Sequence, residues 1–405
     1  MESRLGRVRS TSTRGSAVSR EKLLTLCVFI DGFGWELVRR YPFMDDVLVT
    51  KSPLGTIFGY SSTCDPTILT GKLPRDHGHF VFYYYNPQES PFGFYRFLDL
   101  LPKSLLSRGR VRAKLSRIME RFHGYTGYFQ LYNMPFRYLH LFDYSERRDI
   151  YQPGGINSGA RTIFDILRER RVPLSVSNWR LSEPERIAAL SNDLEQGRIR
   201  FAFLMLAGLD ATLHEYGTQA EEVSAHLRLY ERELSTLMDR AHSEYSSVRL
   251  FVFSDHGMAD IGETVDVISR IQALGLRFGA DYAAVYDSTM ARFWFLNGKA
   301  RDRITEALEG IPQGWSVPDD QLARWGCDFP GHKYGELFFL LNPGVLLCPS
   351  FMGQKPMAGM HGYAPEHPSS VAAFMSNVPR NPTPARLDDL YDVMLSEATR
   401  LPEAP

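Results

Sequence analysis

Three apolar runs, each closing on or shortly before an acid, restrict what this chain can fold into. The first is Leu-Leu-Thr-Leu-Cys-Val-Phe-Ile at 23–30, followed by Asp31-Gly32. The second, at 200–206, precedes Asp210, and the third, at 248–253, precedes Ser254-Asp255. Uninterrupted apolar runs of this length predict strands buried on both faces, as in a parallel sheet. Residues 221–240 and 159–170 carry the spacing of amphipathic helices, and 173–177 predicts a short strand. Strands alternating with helices predict an α/β fold, three αβα layers around a mostly parallel sheet. Ligands of such sheets gather outside the carboxyl ends of the strands. Asp31, Asp210 and Asp255 all fall at or just after such ends, so three acids distant in sequence can meet at one edge.

Histidines accompany those acids. Asp210 and His214 are four apart, a spacing that places both on one helical face. Asp255 and His256 are adjacent, and His361 stands in Gly-Met-His-Gly-Tyr at 359–363. Taken singly, each pair reads as a capping or surface feature. Taken together, six oxygen and nitrogen donors without a thiolate form the ligand chemistry of a hydrolytic zinc or manganese site. Residues 59–71 (Gly-Tyr-Ser-Ser-Thr-Cys-Asp-Pro-Thr-Ile-Leu-Thr-Gly) offer hydroxyls ahead of a helix-like run. A hydroxyl there sits at the positive end of the helix dipole, which suits a phosphate. The same residues read equally well as plain N-caps.

The net charge of −1 gives no global attraction to nucleic acid, and none is expected as a partner. The four cysteines, Cys27, Cys64, Cys327 and Cys348, have no CxxC spacing, which argues against a disulfide framework or a thiolate metal site. No run approaches the roughly 18 apolar residues of a membrane span, and the N-terminus lacks the apolar core of a secretory signal. A cytoplasmic location is the default expectation. Residues 1–20, with five arginines and one acid, predict a disordered basic tail.

Residues 21–400 are expected to form one catalytic domain interrupted twice. The first insertion, at about 80–150, begins with the aromatic run Phe80-Val81-Phe82-Tyr83-Tyr84-Tyr85 and is expected to cap the site. The second covers about 262–350. Within the first, residues 103–122 predict a basic amphipathic helix with Val111, Leu115, Ile118 and Phe122 as its apolar stripe. That helix reads as packing on the domain, as an anion clamp, or as a peripheral contact with a membrane surface. His77 and His79 are expected to support the preceding loop rather than to bind metal.

These motifs, in this order over residues 23–365, resemble the alkaline phosphatase superfamily, most closely its type I phosphodiesterase/nucleotide pyrophosphatase branch. The motifs are Asp31-Gly32-Phe33-Gly34; Ser61 to Gly71 with Pro74 and His77-Gly78; Asp210-x-x-x-His214; Ser254-Asp255-His256-Gly257-Met258; and Met360-His361-Gly362. The resemblance implies an alkaline phosphatase-like fold with two divalent ions, zinc or alternatively manganese. One would be held by Asp210, His214 and His361, the other by Asp31, Asp255, His256 and the Ser61 oxygen. It implies Ser61 as nucleophile, forming a phosphoseryl intermediate, with Ser62 as the fallback and Ser62 and Thr63 near the substrate phosphate. The branch carries Thr at the nucleophile and Asn three positions later, where this chain has Ser61 and Cys64. A thiol is a poor phosphate donor, so that departure bears on diesterase activity more than on hydrolysis itself. A sulfatase is disfavoured, because Thr63 and Asp65 stand where its motif has Pro and Arg. A phosphomonoesterase or phosphoalcohol transferase is the alternative within enzymes, and a non-catalytic binding protein retaining the fold is the alternative outside them. The expected substrate is a small-molecule or lipid-linked phosphoester; the oligomeric state is unknown from the sequence.

Overall fold

The structure, a computed structural model, describes residues 22–100 and 108–401. The basic tail at 1–20 and the beginning of the 103–122 segment lie outside these. The three apolar runs form the strands Leu23–Ile30, Phe201–Leu206 and Ser247–Phe253. Leu23–Ile30 is central and pairs in parallel with both others, Cys27 lying opposite Phe203 on one side and Phe251 on the other. Leu174–Val176 extends the sheet in parallel beyond Phe201–Leu206. On the far side Ala372–Ser376 runs antiparallel and is followed by the edge strand Thr50–Leu54. The architecture is therefore α/β with a mostly parallel central sheet.

Alternation along the central strand builds the layers. Leu24, Leu26, Val28 and Ile30 share a core with residues of the helices Trp35–Arg40, Glu183–Glu195, Gly208–Tyr216 and Glu221–Glu244. Cys27 and Phe29 point to the opposite face, against Ser61–Thr70, Ile163–Glu169 and Asp389–Ala398. The helix expected over 159–170 begins only at Ile163. Thr162 starts it with a capping box, its side chain accepting from the Asp165 amide while the Asp165 carboxylate accepts from the Thr162 amide.

A second, four-stranded antiparallel sheet comprises Tyr282–Tyr286, Met290–Phe295, Leu337–Leu341 and Gly314–Val317 in that spatial order. Its core is shared with residues of the 80–150 segment, whose Tyr83–Tyr85 and Phe142–Tyr144 pair antiparallel. Arg292 joins these parts. It is fully buried, pairs with Asp287 at 2.7 Å, and donates to the carbonyls of Tyr334 and Tyr83.

The basic helix, Gly109–His123, corrects one expectation. Its buried residues are Arg112, Ser116 and Met119, whereas Ile118 and Phe122 of the expected stripe are exposed. Polar bonds set this rotation. The Arg112 guanidinium donates to the carbonyls of Tyr132 and Met134 and lies over the Phe136 ring, and the Ser116 hydroxyl accepts from the Leu131 amide. Among the described residues no helix is long and apolar enough to cross a membrane.

Candidate metal centre

Four loops at the carboxyl edge of the sheet deliver the acids and histidines to one place. Asp31 immediately follows the central strand, and Asp255 and His256 follow Ser247–Phe253 after one residue. Asp210 and His214 share the helix Gly208–Tyr216. His361 follows the two-residue strand Gly359–Met360, which pairs with Ala259–Asp260. The close approach of these loops depends on glycine: a Cβ on Gly34 would lie 2.3 Å from the Gly257 Cα. Any side chain at Gly34 would therefore force apart the loops carrying Asp31 and His256.

The donor atoms form two groups, each within 4.8 Å: Asp210, His214 and His361; and Asp31, Asp210 and His256. Asp210 belongs to both. Its Oδ2 is 3.2 Å from His214 Nε2 and its Oδ1 3.8 Å from His361 Nε2. His256 Nε2 is 3.1 Å from Asp255 Oδ2 and 3.4 Å from Asp31 Oδ1. Asp255 is fully buried and its other oxygen accepts from the Gly32 amide at 3.3 Å.

The imidazoles are aimed from behind. His214 Nδ1 is 2.8 Å from the Gly359 carbonyl, and His256 Nδ1 is 2.9 Å from that of Gly257. Each Nδ1 thus serves as the donor, and Nε2 is presented to the carboxylates, as in metal-ligating histidines. The His256 and His361 rings stack at 3.6 Å. Asp31 Oδ1, Asp210 Oδ1, Asp255 Oδ2 and His361 Nδ1 are buried without a hydrogen bond. Buried polar atoms are normally paired, and lone pairs facing one another call for a cation or a proton between them.

The electrostatics agree. Burial raises Asp31 well above the usual carboxylate range, and Asp255, Asp210 and Asp65 push it the same way. Burial likewise raises Asp255, against the opposing pull of His256. Burial would also raise Asp210, but the His214 hydrogen bond and the surrounding imidazoles hold it well below. His361 is driven well below its ordinary value, chiefly by burial, and so is neutral and able to ligate. The residues fit a divalent-cation site on donor type, orientation and unsatisfied lone pairs.

Ser61 is the first residue of the helix Ser61–Thr70. Its Oγ lies 3.2 Å from His256 Nε2, which places a hydroxyl against the second donor group. Ser62 and Thr63, expected near the substrate, donate instead to the Phe80 carbonyl. Ser62 still borders the cavity. Thr63 is fully buried and does not, so its hydroxyl stabilises the turn rather than meeting a ligand. His77, as expected, supports this element, its Nε2 lying 3.0 Å from Thr67 Oγ1.

A cavity of about 510 Å³ opens over the centre, lined by Asp31, Ser61, Asp210, His214 and His361 on one side. Its lining also includes Phe82, Tyr128, Tyr132 and Glu146 from the 80–150 segment. Sequence reasoning missed several residues that set this geometry. The Tyr60 hydroxyl accepts from the Thr289 amide at 3.1 Å and lies 2.8 Å from Thr289 Oγ1, which donates to the Gly362 carbonyl. This relay ties the Ser61 loop to the His361 loop through the second sheet. No spacing rule points to Thr289, 229 positions from Tyr60.

The fold and this centre define a hydrolytic α/β enzyme of the phosphoester-cleaving kind. The chain belongs to the type I phosphodiesterase/nucleotide pyrophosphatase family, whose model matches residues 25–364, and it is a phosphoester hydrolase. Compared with curated proteins, the sequence matches none significantly. Among solved structures it is similar to murine ectonucleotide pyrophosphatase/phosphodiesterase 5, at 17% identity and TM-score 0.65, over 94% of this chain and 96% of that one. An inactive variant of the murine protein, in complex with AMP, aligns at 16% identity and TM-score 0.66, over 95% and 96%. The human protein aligns at 13% identity and TM-score 0.66, over 94% and 96%. At these identities the likeness is one of fold.

Proposed function

We propose that the chain is a two-metal phosphodiesterase or pyrophosphatase that works through a phosphoseryl intermediate at Ser61. The observation that carries this reading is the convergence of three Nε2 atoms and the Asp31, Asp210 and Asp255 carboxylates beside the Ser61 hydroxyl. Asp210, His214 and His361 would hold one cation. Asp31, Asp255, His256 and Ser61 Oγ would hold the other. Zinc suits this N/O set, and manganese is the alternative. Bound there, the ions supply positive charge at the ester oxygens and lower the pKa of a coordinated hydroxyl.

The chain's own residues supply the rest. Ser61 Oγ attacks phosphorus and one of the two ester groups leaves, giving a phosphoseryl intermediate whose phosphorus still carries the other. Water then cleaves the serine–phosphate bond, returning the Ser61 hydroxyl and releasing a phosphomonoester. His256 Nδ1 is held by the Gly257 carbonyl and its Nε2 lies 3.2 Å from Ser61 Oγ, so imidazole and hydroxyl would share one cation. The helix N-terminus beneath Ser61 directs backbone N–H groups at the phosphate, a role that fits the chain's lack of an Asn at position 64.

The test combines metal analysis with a substrate panel of nucleotides, nucleotide sugars, lipid phosphates and phosphoalcohols, each with zinc and with manganese. A nucleotide belongs in it because the murine relative was solved with AMP. Bis- against mono-p-nitrophenyl phosphate, with acceptor alcohols added, separates diesterase, monoesterase and transferase. Two ions per chain, with turnover lost in Ser61→Ala, are expected. A metal-free protein, or unchanged turnover in that variant, overturns the reading.

A further inference from the structure

Large apolar side chains stand in solvent at one place on the molecule, beside a line of cations. Phe94 is 78% exposed, Phe97 52%, Ile118 55% and Phe122 79%. They belong to two adjoining elements, the short helix Gly93–Leu100 and the helix Gly109–His123. The three exposed phenylalanines among the described residues all lie here. Ring contacts join them: Phe97 lies 5.9 Å from Phe94, Phe94 6.3 Å from Tyr95, Tyr95 5.7 Å from His123, and His123 5.2 Å from Phe122. The Tyr95 hydroxyl, 3.0 Å from His123 Nε2, ties the two elements together. None of the four apolar side chains lines the cavity over the metal centre, so catalysis does not account for them. Single apolar residues are ordinary on a surface, whereas a group of them marks an interaction site.

Charge narrows the kind of partner. Arg110, Lys114, Arg117 and Arg121 recur at steps of four, three and four, which sets them along one line of the helix. All four are exposed, and none makes an ion pair among the described residues. Arg96 is also exposed and lies over the Phe97 ring at 5.1 Å. Glu120, the one acid within Gly109–His123, is held by Arg180 at 3.8 Å. Ile118 and Phe122, four apart, form the line beside the cations. The helix thus buries Arg112, Ser116 and Met119 and turns outward a row of cations flanked by bulky apolar groups. Helices that lie in a bilayer surface have this arrangement: cations meet anionic headgroups while rings enter the boundary between headgroups and acyl chains. Side chains that project singly suit a soft surface that closes around them, and the positive charge selects an anionic one.

We propose that this face docks the protein on an anionic membrane surface, with Phe94, Phe97 and Phe122 entering the bilayer boundary and Arg110, Lys114, Arg117 and Arg121 meeting the lipid headgroups. The proposal does not rest on the hydrolase reading. Attachment draws on both contributions together, burial of the rings and attraction of the cations. The docking helix is also bonded to the surroundings of the cavity. Arg112 donates to the Tyr132 carbonyl, and Tyr132 lines the cavity. The attached face and the cavity therefore keep one fixed relation.

The test is co-sedimentation of the metal-loaded full chain with phosphatidylcholine vesicles, with and without phosphatidylserine. Saturable binding is expected with phosphatidylserine, weaker by about tenfold or more without it and weakened by added salt. Lys114→Glu combined with Arg117→Glu is expected to weaken binding by about a hundredfold. Phe94→Ser combined with Phe122→Ser is expected to weaken it by about tenfold or more. All four positions are exposed, and an unchanged Tm in each variant shows that it is folded. Phe122→Trp supplies a second readout. Its added emission, read against the parent's own tryptophans, is expected to shift to the blue on vesicles and to be quenched by brominated acyl chains. Absence of binding to the phosphatidylserine vesicles overturns the proposal, as does binding that the phenylalanine changes leave intact. Self-association that Phe94→Ser with Phe122→Ser abolishes overturns it in favour of an interface between copies of this chain. Capture of a single-stranded oligonucleotide more tightly than of vesicles overturns it in favour of nucleic acid. None of these readouts depends on turnover, so the hydrolase reading stands or falls separately.

Discussion

At the scale of single residues, the centre is a set of lone pairs held in opposition. His361 shows it most clearly: buried, stacked on His256, and with its Nδ1 lacking a partner. Replacing it with Ala removes a ligand without removing any hydrogen bond that holds the loop. His361→Ala is therefore expected to lose bound metal and turnover together while its thermal transition, measured in chelator, stays near that of the chelated parent. Two ions retained in the variant would disprove its place in the ligand set. Much of this is legible in the sequence. Asp-x-x-x-His is a helical spacing, and Asp31 and Asp255 are announced by the apolar runs before them. Glu146 is not, because an acid between Ser145 and Arg147 looks like any surface residue until the fold buries it.

At the scale of elements, what the sequence leaves open is how the inserted segments attach. The central strand is legible to the residue, since a run of eight positions with only Thr25 polar has few other uses. The basic helix is not, because period alone ranks Phe122 above Arg112 and turns the wrong face inward. Carbonyl acceptors at Tyr132 and Met134, invisible to periodicity, decide the matter. Arg292 is the corresponding device in the second sheet. Substitution by Met would leave Asp287 buried and unpaired and two carbonyls without a donor. Loss of one partner of a buried pair costs about 3–5 kcal/mol. Arg292→Met is expected to lower the urea midpoint accordingly with little change in slope. A midpoint shift under about 1 kcal/mol would mean that Asp287 finds another partner or takes up a proton.

At the scale of the whole molecule, stability and metal content are linked through pH. Asp31, Asp255 and Asp65 have folded-state pKa values above their unfolded ones. Without metal, the folded chain thus holds more protons than the unfolded chain across that interval, and its stability falls as pH rises. At His214 burial pulls downward but the Asp210 carboxylate prevails, so the raised imidazole adds to the same trend above its unfolded value. His361, lowered by burial, acts the other way only below about pH 6.5. As pH rises above about 6.5, therefore, chelated protein is expected to melt progressively lower, while metal-loaded protein changes little because the ions occupy the protons' places. The measurement is the difference in Tm between the two forms at each pH; a difference that narrows toward the alkaline end would contradict it.

The carboxylate common to both donor groups carries one more consequence. Because Asp210 belongs to both donor groups, it would bear on both proposed seats, and occupancy of one would alter the affinity of the other by a reciprocal factor. Asp210→Asn should accordingly not yield a half-loaded enzyme with half its function. Metal titration of that variant should show both ions weakened together, so that the pair is gained or forfeited as a unit.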